Sequence, residues 1–359
     1  MILQEQIMLT DKTLLITGGT GSLGKVLIRR LLSGEMGLPK KIIVFSRDEA
    51  KQHFMRMEYL NRKVVTDEVI YNNFCRVLEF RIGDVRDLHS VAAALRGVDV
   101  VFNAAALKQV PSCEYFPYEA VQTNVTGPEN IVRAIREQDL PVETVVGIST
   151  DKACKPVNVM GMTKALQERI FIKANLDCTK TRFICVRYGN VLASRGSVIP
   201  LFHEQIENGG PVTITTADMT RFLLSLDQAV DTIFEAVKLG RAGETYIPRV
   251  PSAKVIDIAE ALIGDRSIRT EVTGIRPGEK IHEVLVSEEE AHRTIERGRY
   301  YVILPMLPEL NRDELPTEAL EKEYGSGDNL MNPEEVRETL HQHHLLLEDL
   351  DAYEGELLR

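Results

Sequence analysis

Thr13–Thr17 (TLLIT) runs straight into Gly18-Gly19-Thr20-Gly21-Ser22-Leu23-Gly24 and then into an amphipathic stretch, Lys25–Leu32. An apolar strand, a turn with glycines three apart, and a helix together leave a chain few folds. The glycines permit a tight turn and let other backbone approach closely. They also leave the first N–H groups of the helix open to a pyrophosphate. The segment therefore reads as the first βα unit of a dinucleotide-binding sheet. Gly18, Thr20, Gly21, Ser22, Leu23 and Gly24 are its phosphate-contacting candidates.

The pattern continues. Strands are expected at Lys41–Phe45, Arg76–Ile82, Val98–Phe102, Glu143–Ile148 and Arg182–Arg187, and helices at Asp48–Leu60, Pro117–Gln138 and Val159–Asn175. Strands alternating with helices of this length indicate an α/β fold with a parallel, doubly wound sheet of Rossmann type. After Asn190 the pattern loosens. Short strands (Val212–Ile214, Glu244–Ile247, Thr270–Thr273) mix with helices (Leu226–Leu239, Lys254–Leu262), as in a smaller α/β substrate lobe. The expected organisation is a dinucleotide-binding domain over 1–190, with some later segments returning to it, a substrate lobe over 191–305, and a peripheral helical extension over 306–359. In that extension Asn332 is the expected N-cap of a helix with Pro333 at its first position.

The 359 residues are 44% hydrophobic, enough for a large core, and carry a formal charge of −10. That charge argues against nucleic acid or a basic membrane-surface patch as partner. The five cysteines are odd in number, scattered and without a CxxC pair. They read as reduced thiols, with Cys154 a small core residue, and neither a disulfide frame nor a metal site is expected. There is no apolar run of transmembrane length and no signal-peptide pattern in residues 1–10, so a cytoplasmic protein is expected.

Further motifs fall at the ends of successive strands. Ser46-Arg47-Asp48 follows the second. Arg47 at the tip suits a 2′-phosphate, which favours NADP over NAD, while Asp48 reads as the next N-cap. Asp84 and Val85 follow the third strand, where they would meet an adenine ring; an Asx-turn and a core valine are the alternative. Ala104, Ala105 and Ala106 follow the fourth, allowing backbone to lie against a cofactor, with Lys108 in reach of a ribose or substrate hydroxyl. Asn124 reads as a buried polar group that kinks its helix or bridges towards Lys164. Ser149-Thr150-Asp151-Lys152 ends the fifth strand, and Met160-Gly161-Met162-Thr163-Lys164 opens the next helix.

TGGTGSLG, GDV, NAAALKQV, TNVTG, STDKA, MGMTK and RYGNV, in this order, resemble the extended short-chain dehydrogenase/reductases that act on nucleotide sugars. AAALKQVP and STDKA narrow the resemblance to inverting UDP-N-acetylglucosamine 4,6-dehydratases of polysaccharide biosynthesis, over roughly residues 10–285. Most short-chain dehydrogenases carry Tyr at the place of Met160, four residues before Lys164 and on the same helical face. Methionine cannot exchange a proton. The chain is thus similar to the subgroup with Met there, whose larger members often have an N-terminal membrane region.

The resemblance implies a hydro-lyase with tightly bound NADP, regenerated at each turnover. Lys164 would hold the nicotinamide ribose, and Asp151 would protonate the departing C6 oxygen. Lys152 would take the C5 proton, its pKa lowered by the nearby charge of Lys164. Thr150 is the candidate relay for the C4-hydroxyl proton in place of the tyrosine. Asn190, Val198, Arg221, Arg276 and Glu279 are candidates for binding the nucleotide sugar, the two guanidiniums suiting a diphosphate. His282 is expected to pack or hydrogen-bond locally. Family members tend to form homo-oligomers. Two other readings stay open: a UDP-sugar 4-epimerase, and a catalytically silent NADP-binding protein.

Overall fold

The computed structural model describes residues 8–61, 68–192, 197–275, 278–311 and 320–350. Five parallel neighbours form the first half of the sheet: β1 (Thr13–Thr17), β2 (Lys41–Ser46), β3 (Leu78–Ile82), β4 (Val100–Asn103) and β5 (Thr144–Ile148). Strand β6 (Arg182–Val186) pairs parallel to β5. The expected strand at Arg76–Ile82 begins later, because helix Glu68–Val77 occupies its first two positions. Along β1, Leu14 and Ile16 face one side and Leu15 the other, and all are buried. That burial on both faces is what a parallel sheet covered by helices requires.

The remaining strands are β7 (Val212–Ile214), β8 (Thr220–Phe222), β9 (Thr245–Pro248), β10 (Ser252–Lys254), β11 (Thr270–Val272), β12 (Val284–Val286), β13 (Thr294–Arg297), β14 (Tyr300–Ile303) and β15 (Tyr324–Gly325). Three of them return to the central sheet, whose order is β13-β14-β9-β6-β5-β4-β1-β2-β3. Strand β9, read from sequence as part of the substrate lobe, lies parallel to β6. Helix Leu226–Leu239, read the same way, buries Ala229, Val230, Ile233, Phe234, Ala236 and Val237 in the core beneath that sheet. Its apolar stripe needs a partner, and the sheet face beside helix Ser22–Leu32 supplies one.

The smaller lobe is built on β7, β11 and helices Val198–Glu207 and Val255–Ile263. Helix Pro333–Gln342 starts as read, with the Asn332 side chain accepting from the N–H groups of Glu334 and Glu335 at 3.0 Å each. It is not peripheral. Val336 and Leu340 are fully buried in the lobe's core. The acidic surface of this segment conceals an apolar pair four residues apart, enough to seat one helix face.

Helix Pro117–Gln138, expected as one piece, is Pro117–Val121 and Gly127–Glu137 joined by a π-helical turn at Gln122–Thr126. All five cysteines are free, and only Cys75 is exposed. Among the described residues no helix is long and apolar enough to cross a membrane.

Candidate active site

Strands β1, β4, β5 and β6 all end at one edge, where an open α/β sheet binds its ligands. At the end of β1, Gly18 has φ +67°, and a Cβ there would lie 2.8 Å from Ala105 N. A Cβ on Gly24 would sit 2.5 Å from Gly19 Cα. Gly21 is the N-cap of helix Ser22–Leu32 and offers it no side-chain cap. Thr20, Ser22 and Leu23 complete the turn. Beside it, Thr17 Oγ1 donates to Asn103 Oδ1 (2.8 Å) and accepts from Ala105 N (3.2 Å), which fixes Ala104–Ala106 against the glycines. Asn103 Nδ2 is buried with no acceptor among the described residues.

At the tips of β2 and β3, Asp48 caps the next helix by accepting from Lys51 N (2.9 Å), as read from sequence. Ser46 Oγ accepts from Asp48 N and from Gln52 Nε2, each at 3.3 Å. Gln52 was missed from sequence. It is buried and also donates to the carbonyls of Ser46 (3.1 Å) and Arg81 (3.0 Å), tying the two strand ends together. Half-exposed Arg47 lies 3.7 Å from Asp84. The Asp84 carboxylate, the candidate for an adenine amino group, accepts from Arg86 Nε (2.9 Å) and Nη2 (2.7 Å) within the chain. Burial would push its carboxyl up, but these bonds outweigh it and hold the pKa below the ordinary value. Val85 is buried in the sheet's second core.

The end of β5 holds the charges. Thr150 caps the short 3-10 turn Asp151–Ala153, and its Oγ1 donates to Asp151 Oδ1 (2.7 Å). Asp151 is fully buried, and its Oδ2 has no hydrogen-bond partner among the described residues. Lys152 Nζ lies 3.1 Å from Asp151 Oδ1, 3.2 Å from Glu283 Oε1 and 3.5 Å from Asn190 Oδ1. Burial disfavours the Lys152 ammonium, yet the two carboxylates outweigh burial and the opposing Arg221, so its pKa is raised. This corrects the sequence reading, which had Lys164 lowering it. The raising comes first from Asp151, the residue beside it, and then from Glu283, far along the chain, to which nothing local points.

Lys164 is itself buried. Its Nζ donates to Gln167 Oε1 (2.6 Å), and desolvation lowers its pKa to about 8. Asn124, fully buried in the π-helical turn, accepts from Leu107 N (2.8 Å) and donates to Leu107 O (2.9 Å) and Thr163 Oγ1 (3.0 Å). It thus joins the loop carrying exposed Lys108 to the residue beside Lys164. Met160 is buried in an apolar cluster with Leu107, Val110, Cys113 and Ala120. Gly161 is another residue the sequence reading passed over: a Cβ there would lie 2.1 Å from Lys152 O. Helix Val159–Asp177 can therefore rest its first turn on the Asp151–Lys152 turn only with glycine at 161.

Behind the site, Arg187 is buried between Glu168 (2.6 Å) and Glu290 (2.7 Å), and Ser149 Oγ donates to Glu168. Burial pushes Glu290 up, but Arg187 outweighs it and holds the carboxyl at about 2. Cys154, as read, is buried, which pushes its thiol up to about 12.

The substrate candidates are only partly brought together. Asn190 meets Lys152. Arg221 is buried, with Nη1 donating to the carbonyls of Thr220 (2.7 Å) and Ile281 (3.1 Å) and Nε 4.0 Å from Glu283. Within the chain, Arg221 is thus held by two carbonyls and lies near one carboxylate. Arg276 lies outside the described residues. Glu279 accepts from Thr215 Oγ1 (3.2 Å), and Val198 opens helix Val198–Glu207 against the lobe's core. Asn158 Nδ2 donates to Gly278 O (2.8 Å), drawing this segment to the site. His282 Nδ1 hydrogen-bonds Thr220 Oγ1 (2.8 Å), the local role expected of it. No group of three or more His, Cys, Asp or Glu suited to a metal occurs among the described residues.

Residues 14–305 match the family described as polysaccharide biosynthesis protein. The chain belongs to this family. Its members of known kind are extended short-chain dehydrogenase/reductases, a group of nucleotide-sugar dehydratases and epimerases. A relative from Rickettsia bellii named UDP-glucose 4-epimerase is 42% identical over 98% of this chain and 99% of its own. One from Methanocaldococcus jannaschii, named an uncharacterized membrane protein, is 43% identical over 82% of this chain and 86% of its own. Among solved structures, Pen from Bacillus thuringiensis superposes with a TM-score of 0.83 at 35% identity, covering 94% of this chain and 99% of Pen. DesIV of Streptomyces venezuelae, a dTDP-glucose 4,6-dehydratase, shares the fold with a TM-score of 0.63 at 23% identity, over 75% of this chain and 86% of its own.

Proposed function

We propose that this family member is a nucleotide-sugar 4,6-dehydratase that acts on UDP-N-acetylglucosamine with NADP and inverts C5. The observation that carries the reading is the line Thr150–Asp151–Lys152–Glu283, in hydrogen-bond or ion-pair contact throughout, beside a methionine packed among apolar side chains. Epimerisation at C4 needs one strong acid/base at the C4 hydroxyl. Dehydration moves protons at C4, C5 and C6, which is what a line of several proton-bearing groups suits.

The cofactor cradle fits a dinucleotide. Gly18 and Gly24 leave no room for a Cβ, and the helix behind them has no side-chain cap. The turn Gly18–Gly24 would hold the pyrophosphate, Ser46 and Arg47 the 2′-phosphate, Asp84 and Val85 the adenine side, and Ala104–Ala106, Lys108 and Lys164 the nicotinamide ribose. Bound there, NADP supplies a reversible hydride acceptor for C4.

Thr150 takes the C4-hydroxyl proton and passes its own to Asp151 across their 2.7 Å contact. Asp151 then bears the proton that the departing C6 hydroxyl needs. Lys152 removes the C5 proton, made acidic by the adjacent ketone. Resting as an ammonium, it must first give up a proton to a carboxylate beside it. Four proton movements balance: C4-hydroxyl and C5 protons are released, one leaves with water, and one returns to C5. Asn190, Val198, Arg221, Arg276 and Glu279 remain the proposed substrate contacts.

The test is incubation with UDP-N-acetylglucosamine in heavy water, followed by mass spectrometry and proton NMR. Loss of water with deuterium at C5 is expected, and the C5 couplings report inversion. The relatives named UDP-glucose 4-epimerase favour a second reading. Unchanged mass with an altered C4 configuration would establish it instead, and NADP binding without turnover would leave a silent binder.

The cofactor preference has its own check by fluorescence titration. Arg47→Ala is expected to weaken NADPH binding about tenfold, the scale of one lost charge-assisted contact, and NADH binding by less than about twofold. Equal weakening of both would remove Arg47 from the 2′-phosphate. Gly18→Ala is expected to weaken both alike, since its Cβ would meet Ala105 N at 2.8 Å.

A further inference from the structure

Glu283 precedes β12 and is 2% exposed. Its backbone is pinned on both sides by Ser326: Glu283 N donates to Ser326 Oγ (2.9 Å), and Ser326 N donates to Glu283 O (2.8 Å). Its Oε1 lies 3.2 Å from Lys152 Nζ and 4.0 Å from Arg221 Nε. Its Oε2 is buried and has no hydrogen-bond partner among the described residues. A carboxylate taken out of water and left half-unsatisfied is costly unless a cation compensates it. The nearer cation is Lys152.

We propose that Glu283 is a positioning residue that sets the charge state of Lys152, holding it as an ammonium until substrate is seated. The consequence for turnover rests on the reading of Lys152 as the C5 base; the effect on Lys152 itself does not. The groups facing Lys152 are Asp151 on its own turn, Glu283 ahead of β12, Arg221 on β8, and the neutral Asn190 after β6. Asp151 shares its Oδ1 between Lys152 and Thr150. Among Thr150, Asp151 and Lys152, the direct partner of Glu283 is Lys152. Two carboxylates favour the charged amine and Arg221 opposes it. Removing one carboxylate must free the amine at lower pH.

The test is competitive labelling of the intact protein with a small amine acylating reagent between pH 6 and 11, read by peptide mass spectrometry. Surface Lys180, 73% exposed in its side chain, serves as the internal reference. In Glu283→Gln the labelling rate of Lys152 at pH 8 is expected to rise about tenfold relative to Lys180. Glu283→Asp keeps the charge but withdraws it, and is expected to fall in between. Unchanged Lys152 reactivity in Glu283→Gln overturns the proposal. Should that variant unfold, as judged by circular dichroism, Glu283→Asp decides alone, and no rise there overturns it equally.

A second arm uses turnover. The acidic limb of the kcat–pH profile is expected to move to lower pH in Glu283→Gln, with KM for UDP-N-acetylglucosamine unchanged. Absence of dehydration in the wild type would defeat the dehydratase reading and leave the labelling result standing. A shifted Lys152 with an unshifted limb would show that Glu283 tunes Lys152 but that Lys152 is not the C5 base.

Discussion

Lys152→Arg is expected to slow conversion of UDP-N-acetylglucosamine by about 10²–10⁴-fold and to abolish deuterium incorporation at C5, the range associated with losing a positioned acid or base. The substitution is chosen because it separates charge from proton transfer. Arginine keeps a cation between Asp151 and Glu283, so neither buried carboxylate is stranded. Its guanidinium does not give up a proton in a protein. Lysine can do so once substrate and cofactor have displaced water and the neutral pair is favoured over the ion pair. The measurement is single-turnover consumption of substrate in heavy water, with circular dichroism to show that the fold is intact. Retention of more than about a tenth of the wild-type rate would remove Lys152 from the C5 step and return the epimerase reading to the front.

Arg187→Met is expected to lower stability by about 3–5 kcal/mol in urea titration at pH 7, the cost of leaving buried charges without their partner. Arg187 is the shared cation of Glu168 and Glu290 and also donates to Leu285 O (2.8 Å). Methionine fills much of the volume and compensates neither carboxylate. The pH dependence carries a definite sign. Glu290 has a folded pKa of about 2, below the ordinary glutamate value of 4.5. Its contribution is therefore fully present above about pH 4.5 and is lost as pH falls from there towards 2, because the unfolded chain takes up the proton first. In Arg187→Met that loss should largely vanish, so the stabilities of the two proteins converge in acid. A deficit below about 1 kcal/mol at pH 7, or one unchanged between pH 7 and 3, would mean that the network does not hold the strand ends together.

Much of the site was legible because it is local. The glycine turn, the N-caps at Asp48 and Asn332, and the Thr150-Asp151-Lys152 turn each depend on residues within about four positions, the range over which backbone and neighbouring side chains dictate conformation. The strands β1, β2, β4, β5 and β6 were readable from continuous apolar runs, since a sheet buried on both faces needs them, whereas β3 at the sheet edge alternates (LEFRI) and is only half-buried. Asn124 was legible as a buried polar residue, but the π-helical turn that aims it at Leu107 and Thr163 was not.

Tertiary structure alone decided the rest. Strands β9 and β14 carry no mark that separates them from lobe strands, because a short apolar run reads the same in either sheet, and β13 (TIER) has a single apolar residue. The acidic face around helix Pro333–Gln342 hid the two residues that seat it. The charge on Lys152 was misjudged by setting Lys164 above the adjacent Asp151 and without Glu283, since a Coulomb interaction depends on distance in space and on burial. A Rossmann-type sheet, and the polar side chains grouped at the ends of its strands, follow from local sequence. The folded chain decided which carboxylates face Lys152, because Glu283 reaches it only when the segment before β12 closes over the end of β5.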